Sequence, residues 1–318
     1  MRFSLPVPRD YILARDYCSY GYFLLEPNHW EPRTATLSRI LDLESGPTRL
    51  DLVQPGKGNA RRGQPLTVRS DRSLSKAERQ QATRLMSRML RLDESHDHIR
   101  EFHSVDPRFR RSGRGRLMRS PTLFEDVIKT VTSCNVTWPS TIVMNRRLCE
   151  VVGRGGAFPS PRKLARTRPA TLRARCRVGY RDARIIELAE LFSTSPAKGG
   201  IDQEWMEDPN TSDEQLLEKL LDLPGIGPYA AANIMQLLGR YHRLPLDSES
   251  VRHGKTVMGL KGNDRQITKK VAKHFAPFGR HAFRSYWFEL WEFYESKHGR
   301  SWTWEKKQVG SAFTASKL

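Results

Sequence analysis

An aspartate directly before a predicted helix is the residue best placed to do chemistry. Asp247 lies in the segment Leu-Pro-Leu-Asp-Ser-Glu-Ser, between a short apolar stretch and helical residues from Ser250 onward. An aspartate in this position commonly caps the helix, and the helix N-terminus favours its ionised form. An ionised carboxylate can stabilise a developing positive charge and accept a proton from water. Asp247 is therefore predicted to cap the helix and to act as a catalytic carboxylate.

A Pro-Gly-x-Gly turn precedes this aspartate by twenty residues. The turn comprises Pro224, Gly225, Ile226 and Gly227, and it separates an apolar helix from a helix of small residues in which Tyr229 comes early. Glycines permit positive φ angles, and their backbone N–H groups can face a phosphate oxygen together with the next helix N-terminus. Such a turn is about as often only a tight connection between helices. The five residues are therefore a candidate phosphate-binding hairpin whose interpretation depends on its context.

The charge balance of the chain points to a polyanionic partner. The 318 residues include 54 Lys and Arg against 35 Asp and Glu, a net charge of +19. Such an excess favours nucleic acid or an anionic membrane surface. No apolar run is long enough for a membrane-spanning helix, and the N-terminus does not resemble a secretory signal. We therefore expect an intracellular protein with no membrane association.

The cysteines do not suggest a metal or a cofactor. Their spacing matches neither a zinc site nor an iron–sulfur site, which indicates reduced thiols. The four cysteines are Cys18, Cys134, Cys149 and Cys176. We expect no metal and no cofactor.

The first 73 residues are predicted to form a small β-rich domain. Apolar or alternating stretches at residues 11–14, 20–25 and 49–53 are separated by turn-forming residues. These three stretches are predicted to be strands.

From Ser75 onward the pattern becomes helical. Ser75 and Glu78 have the spacing of a capping box, followed by apolar residues at helical intervals. Residues 74–296 are predicted to form an all-helical body, and residues 297–318 a basic C-terminal tail. The predicted fold class is α+β, with the small β-rich domain preceding the helical body.

An arginine-rich segment interrupts the helical pattern. Residues 108–119 contain six arginines interspersed with serine and glycine. The segment is predicted to be a solvated loop, either facing phosphates or merely exposed.

The hairpin and the aspartate together resemble the signature of the helix-hairpin-helix (HhH-GPD) DNA glycosylases. In that signature a Leu-Pro-Gly-x-Gly hairpin and a small-residue helix precede a Pro-x-Asp sequence, and all three are present here. The β-rich start is similar to the extra domain of the branch that contains AlkA-type 3-methyladenine and 8-oxoguanine glycosylases. Further similar segments bring the resemblance to residues 10–295; they are residues 104–109, 120–125, 158–165 and 179–184.

The resemblance implies an enzyme of base excision repair. Such an enzyme flips a damaged base out of double-stranded DNA and hydrolyses its N-glycosidic bond, here with Asp247 as the catalytic carboxylate. The hairpin and Tyr229 would contact the DNA backbone. We expect the protein to be a monomer. We expect it in the cytoplasm and nucleoid if the protein is bacterial and in the nucleus if it is eukaryotic.

Two departures from the family narrow the prediction. Branches with lyase activity carry a lysine two residues after the second glycine, where this chain has Tyr229, and a tyrosine cannot form a Schiff base. Branches with an iron–sulfur cluster carry four cysteines after the last helix, whereas here no cysteine follows Cys176. The resemblance thus implies a monofunctional glycosylase without a cluster. A monovalent cation at the hairpin is the one ion that it allows.

Several other residues are candidates for DNA or base contacts. Asn135 aligns with a family asparagine that fills the gap left by the flipped base, although a helix cap or loop position is an equal alternative. Four residues are candidates for the base pocket: Trp138, Tyr229, Trp287 and Trp291. Core packing is the favoured alternative for the tryptophans, and Tyr229 could instead only support the hairpin.

Three residues follow Asp247 closely in the chain. Arg252 and His253 are candidates for contacts with a backbone phosphate. Glu249 occupies a position where related enzymes often have histidine, and the sequence assigns it no role.

The predicted substrate is an alkylated purine such as 3-methyladenine. Aromatic side chains attract a cationic base, and the AlkA-type enzymes carry an aromatic residue at the position of Tyr229. The alternatives are a glycosylase for 8-oxoguanine or for mismatched thymine or uracil, and a non-catalytic helix-hairpin-helix DNA-binding protein. An RNA-binding protein is a further alternative, although no RNA-binding motif is recognisable.

Overall fold

The N-terminal part of the chain forms a five-stranded antiparallel sheet in the order β1-β5-β4-β3-β2. A computed structural model describes residues 1–56 and 61–305 of the protein. The strands are β1 (Arg2–Leu5), β2 (Asn28–Glu31), β3 (Thr36–Leu43), β4 (Gly46–Val53) and β5 (Leu66–Ser70). The central pair is the β3–β4 hairpin, in which Leu37 lies opposite Leu52. Alternate residues of β4 are buried, because one face of the sheet packs on the core.

The rest of the described chain is helical. Helix α1 (Leu13–Tyr17) precedes the main part of the sheet. The others are α2 (Lys76–Met89), α3 (His96–Val105), α4 (Leu123–Ser133), α5 (Trp138–Val151), α6 (Pro161–Ala165), α7 (Pro169–Thr171), α8 (Asp182–Ser193), α9 (Gln203–Glu207), α10 (Asp213–Leu221), α11 (Pro228–Leu237), α12 (Ser248–Thr256), α13 (Asp264–Phe275) and α14 (Ala282–His298). The capping box of Ser75 and Glu78 is present at the start of α2. The predicted α+β class is confirmed.

Two of the three predicted strands are wrong. Residues 11–14 enter α1, and residues 20–25 contain a 3-10 turn, Gly21–Leu24. The aromatic residues of the second stretch are buried because their rings and hydroxyls reach the helical body: the Tyr20 hydroxyl donates to Asn233 of α11 at 2.7 Å. The apolar pattern of residues 20–25 therefore reflects packing against the helical body and not pairing in a sheet.

The hydrophobic interior is divided into two clusters. The first joins the sheet to α2, α3 and α14, and includes Leu52, Met86 and Trp291. The second lies within α4 to α11 and includes Val127 and Leu220. The sheet therefore shares its core with the C-terminal helix, and the predicted boundary after residue 73 crosses the first cluster.

The arginine-rich segment at residues 108–119 is only in part the solvated loop that the sequence predicts: Arg108, Arg110 and Arg111 are exposed, whereas the three later arginines are buried. Arg114 pairs with Glu295 at 2.6 Å and Arg116 pairs with Asp10 at 2.5 Å, and all four side chains are buried. A buried charge is tolerated when an opposite charge and hydrogen bonds satisfy it. The partners lie more than 100 residues away in the chain, so no local pattern could indicate them.

The C-terminal end of the described chain folds back on the body. After α14, a 3-10 turn at Ser301–Thr303 brings Trp304 into the first cluster, where it contacts Phe23 and Trp291. The predicted basic tail otherwise lies outside the described residues from residue 306 onward. In the described ranges no helix is both long enough and apolar enough to cross a membrane.

Candidate active site

Asp247 caps α12 as predicted. Its Oδ1 accepts hydrogen bonds from the backbone N–H groups of Glu249 and Ser250 at 2.9 and 3.0 Å. The Ser250 hydroxyl completes a capping box by accepting from the Asp247 N–H at 2.7 Å. The backbone geometry of the helix start thus fixes the orientation of the carboxylate.

The carboxylate forms part of the wall of a cavity of about 420 Å³. The wall combines side chains from the N-terminal segment, the hairpin helix α11, the start of α12 and the C-terminal helix α14. Its rings are those of Tyr20, Tyr22, Trp138, Tyr229, Tyr286, Trp287, Trp291 and Tyr294. A cavity with aromatic walls and one or two convergent polar groups suits a planar, partly polar ligand.

Burial raises the pKa of Asp247 to about 6. The negative charge of Glu249 adds to this rise, while the backbone N–H groups of Ser250 and Glu249 and the Tyr229 hydroxyl oppose it. At neutral pH the carboxylate is therefore mostly ionised, yet it is basic enough to accept a proton. This combination suits a general base or a partner for a transient cation.

Tyr229 is the second residue of α11 and lines the cavity next to Asp247. Burial and the adjacent Asp247 carboxylate raise its pKa well above the usual value. The phenol consequently stays protonated and can donate a hydrogen bond to a carboxylate or a ligand.

A polar network in the cavity wall was not predicted from the sequence. Asn233 of α11 accepts from the Tyr20 hydroxyl at 2.7 Å, and its amide donates to the Tyr22 hydroxyl at 3.3 Å and to Thr130 at 3.2 Å. The Tyr22 hydroxyl also lies 2.9 Å from the Thr130 hydroxyl. The aromatic residues at 20 and 22 are the one sequence signal of this network, and their spacing is equally typical of a strand.

Trp287 and Trp291 line the cavity and are also part of the first core cluster. Their rings stack on each other at 5.4 Å, and Tyr20 packs on Trp287 at 4.7 Å. The Trp287 indole donates to the Ser19 carbonyl at 2.8 Å, which fixes its orientation. The two alternatives in the sequence analysis, pocket and core, therefore both describe these residues.

Trp138, the first residue of α5, closes another side of the cavity. It packs on Gly21: a Cβ atom there would lie 3.1 Å from Cη2 of the indole. The glycine therefore allows the indole to approach the N-terminal segment closely.

The hairpin connects α10 to α11 at the surface. Gly225 has a φ of 75°, a left-handed conformation that favours glycine, and it contacts the side chain of Arg184. Gly227 is the N-cap of α11 and faces open space. Pro224 is half-buried and Ile226 is buried, so Ile226 anchors the turn while the glycines expose the backbone.

Asn135 lies in the exposed loop between α4 and α5 with a φ of 51°. Arg181 holds this loop by donating to the backbone carbonyls of Val131 at 3.2 Å and Asn135 at 3.4 Å. Asn135 does not line the cavity wall among the described residues. Asn135 is exposed, and its contact with DNA stays a prediction.

The side chains of Arg252 and His253, the two candidates for phosphate contacts, are largely buried in this structure, and those contacts stay a prediction. His253 is fully buried, and its Nε2 lies 2.8 Å from Glu289. The guanidinium of Arg252 donates to Glu249 at 2.9 Å and lies over the ring of Phe293. Both residues face the interior of the C-terminal helices because α12 turns this side towards α14.

Glu249, which the sequence left unassigned, lines the cavity. It accepts from Arg252 and, at 2.6 Å, from the Tyr294 hydroxyl. It is the second carboxylate of the cavity wall and increases the negative potential around Asp247.

Across residues 1–56 and 61–305, no group of three His, Cys, Asp or Glu side chains is arranged to hold a metal ion. The absence of a cofactor and the monovalent cation at the hairpin stay predictions.

Comparison with known proteins identifies the fold. No model of a protein family matches the sequence, and no curated protein matches it significantly. Among solved structures, a 3-methyladenine DNA glycosylase from Archaeoglobus fulgidus is similar with a TM-score of 0.63 at 18% identity, over 93% of this chain and 99% of the other. The chain has the fold of DNA glycosylases.

Two further structures with this fold contain a DNA ligand. MBOgg1 in complex with a low-affinity DNA ligand has a TM-score of 0.67 at 17% identity, over 94% of this chain and 96% of that one. The 8-oxoguanine glycosylase/lyase of Clostridium acetobutylicum, in complex with double-stranded DNA that contains cytosine opposite 8-oxoguanine, has a TM-score of 0.59 at 17% identity. The latter match covers 88% of this chain and 93% of the other. The glycosylase fold that the resemblance implied is thereby confirmed, at the level of the fold alone.

Proposed function

We propose that this protein is a monofunctional DNA glycosylase that removes a damaged base from double-stranded DNA, with Asp247 as the catalytic carboxylate. The observation that carries the proposal is the position of Asp247: a carboxylate of raised pKa at a helix N-terminus, facing an aromatic cavity directly beside the hairpin helix. The glycosylase fold of the chain agrees with this assignment.

The chemistry begins when the damaged nucleotide leaves the base stack, because its sugar is inaccessible in the duplex. The bond between C1′ and the base nitrogen breaks, and its electron pair leaves with the base. Asp247 stabilises the positive charge that develops on the sugar. A water molecule then adds its oxygen to C1′, and Asp247 accepts the proton of that water.

The absence of a suitable amine supports hydrolysis without lyase activity. A lyase needs a lysine that attacks C1′ and forms a Schiff base. Tyr229 occupies the hairpin position next to Asp247, and none of the described residues that line the cavity is a lysine.

The walls of the cavity favour an alkylated purine such as 3-methyladenine or 7-methylguanine. Aromatic faces attract a cationic base, and the ionised carboxylate of Asp247 strengthens that attraction. The arginine of α12, Arg252, would repel a cationic base, but its charge is balanced by an ion pair with Glu249. A cationic base is also an easy leaving group, since it departs as a neutral molecule without a proton from an acid.

A panel of lesion-containing duplexes tests the proposal. After incubation, alkali cuts the strand wherever a base has been removed, and chromatography identifies the released base. We expect release of 3-methyladenine or 7-methylguanine from methylated DNA. Excision of 8-oxoguanine or mismatched thymine instead would contradict the substrate, while DNA binding without any excision would indicate a non-catalytic DNA-binding protein.

A further inference from the structure

The positive charge of the protein is concentrated in one segment. Residues 152–186 contain ten lysines and arginines and a single carboxylate, Asp182, which is a net charge of +9 out of +19 for the whole chain. This segment forms α6, α7, a π-helical turn at Leu172–Cys176 and the start of α8. It makes up about one ninth of the chain but almost half of its net charge.

Six side chains of this segment form what we call the basic face. They are Arg162, Lys163, Arg166, Arg168, Arg175 and Arg177, and all six are exposed. Apolar residues between them, such as Leu164 and Leu172, are buried in the second core cluster. The short helices thus turn their apolar sides inward and their cations outward.

The basic face lacks counter-charges. The one carboxylate of the segment, Asp182, pairs with Arg173 at 2.8 Å. Between residues 1–56 and 61–305, no ion pair includes a member of the basic face. The contrast with residues 108–119 is clear, because Arg114 and Arg116 there are neutralised by buried carboxylates.

Uncompensated like charges repel each other and destabilise a folded protein. Arg177 also has a φ of 59°, a left-handed conformation in which glycine would be less strained. Soluble surfaces commonly intersperse both signs of charge and avoid a large field of one sign unless it attracts a ligand. An external polyanion would provide the missing counter-charges.

The segment that carries the basic face also contacts the elements proposed to hold DNA. Arg184, near the start of α8, packs against Gly225 of the hairpin. Arg181, three residues earlier, holds the loop of Asn135 through the carbonyl of that residue at 3.4 Å. The exposed ring of Tyr180 lies over both guanidinium groups, at 4.5 and 5.6 Å. The C-terminal end of the segment therefore lies against the hairpin and the loop of Asn135, and the short helices that carry the basic face come immediately before it in the chain.

We propose that the basic face binds the phosphate backbone of the same duplex beyond the damaged base, and so lengthens the DNA contact that starts at the hairpin. This inference rests on the proposed function in one respect, namely that duplex DNA is the partner. Phosphates on successive nucleotides would match a row of exposed cations in charge, and the contact would not depend on base sequence.

The experiment compares two variants that each remove four positive charges. The first is R162Q/K163Q/R166Q/R168Q on the basic face. The matched control is R69Q/K76Q/R79Q/R84Q on β5 and α2, where the four residues are also exposed and without ion pairs between described residues. Fluorescence anisotropy measures the affinity of each protein for undamaged duplexes of about 12 and about 30 base pairs over a range of KCl concentrations.

We expect the wild-type protein to bind the longer duplex more tightly. The basic-face variant should lose at least about 10-fold in affinity for the longer duplex and less than about 2-fold for the shorter one, and its salt slope should decrease by roughly 3. The control should follow the wild type. In thermal unfolding at low salt the basic-face variant should be at least as stable as the wild type, because repulsion is removed.

The outcomes separate this inference from the proposed function. Equal affinities of the two variants for the longer duplex would overturn the proposal that the basic face binds DNA, even if the protein excises a base. A selective loss of binding to duplex RNA in the basic-face variant, with DNA binding unchanged, would also overturn it. If the wild type excises no base but the length dependence appears as expected, the glycosylase assignment fails and the basic face stands.

Discussion

The protonation of Asp247 links the chemistry of the site to the stability of the fold. The carboxylate is held by two backbone N–H groups, yet burial beside Glu249 raises its pKa to about 6. The ionised form, on which the proposed reaction depends, is therefore less stable in the folded protein than it would be in water. An amide at this position would keep the helix cap and remove the charge.

Asp247→Asn should reduce base excision by at least about 100-fold, the scale of losing one charge-stabilising group. The affinity for DNA should be retained, because the hairpin is unchanged. Single-turnover excision and anisotropy measure the two effects separately. An Asn variant with full activity would remove Asp247 from the mechanism.

The same substitution should stabilise the protein at neutral pH. The pKa of Asp247 rises from an ordinary value of 3.8 to about 6 on folding. The cost of the buried charge is therefore absent below pH 3.8, grows as the pH rises through this window, and is constant above pH 6. Its upper limit is about 3 kcal/mol.

Denaturant unfolding at several pH values measures how the free energy of unfolding of each protein depends on pH. The Asn variant should exceed the wild type in free energy of unfolding above the window and approach it below. Ser248→Ala, which removes an exposed hydroxyl beside the same carboxylate, is the control and should show no such pH-dependent difference. If the difference in free energy of unfolding between the Asn variant and the wild type is the same at all pH values, burial does not destabilise the ionised form of Asp247.

At the scale of elements, the two glycines of the hairpin have different roles. Gly225 needs its positive φ and touches Arg184, whereas Gly227 has an ordinary φ of −99° and open space around it. The first glycine serves the fold of the turn. The second leaves the N-terminus of α11 open to a ligand.

Gly225→Ala should therefore lower both stability and DNA affinity, since a Cβ would lie 2.7 Å from Cδ of Arg184 in a strained conformation. Gly227→Ala should leave stability within about 0.5 kcal/mol and weaken DNA binding, because its methyl group stands in front of the backbone N–H groups. Thermal unfolding and anisotropy distinguish the two. Unchanged DNA binding in both variants would exclude the hairpin from the interface.

The start of α11 also carries the prediction that the protein has no lyase activity. With Tyr229 beside Asp247, borohydride should trap no covalent complex of the wild-type protein with damaged DNA. Tyr229→Lys places an amine at that position and should yield a trapped complex, provided that the variant folds as judged by its thermal unfolding. Trapping of the wild type would show that another lysine acts and that the protein is a lyase.

At the scale of the whole molecule, the cavity lies where the two core clusters meet. Tyr20 comes from the part of the chain that packs with the sheet, and Asn233 comes from the helical part, and their hydrogen bond crosses the cavity wall. The sheet thus contributes to the site indirectly, by supporting α14 and the N-terminal segment.

The net charge of +19 should make DNA binding steeply dependent on salt. Each neutralised phosphate contributes about −0.9 to the slope of log K against log salt concentration, so several contacts give a slope of roughly −4 or steeper. Anisotropy titrations with an undamaged duplex measure it. A flat affinity between low and physiological salt would contradict an electrostatic interface.

The amino-acid sequence by itself determined the cap, the hairpin and the helical body. Asp247 and Ser250 are three residues apart, and the two glycines of the hairpin are two residues apart, so their geometry depends on local backbone conformations. The capping box of Ser75 and Glu78 was predictable for the same reason. Together with the resemblance to the HhH-GPD glycosylases, these local signals were enough to predict the fold that the comparisons confirmed.

Only the tertiary structure decided which side chains meet. Residues 20–25 have the alternation of a strand, but the hydroxyl of Tyr20 finds its partner more than 200 positions away in α11. Arg116 and His253 look like surface cations in the sequence, yet Asp10 and Glu289 receive them in the interior. Burial and pairing depend on contacts between distant segments, and such contacts leave no periodicity in the chain. The cavity and its electrostatics therefore became visible only once the two cores were assembled.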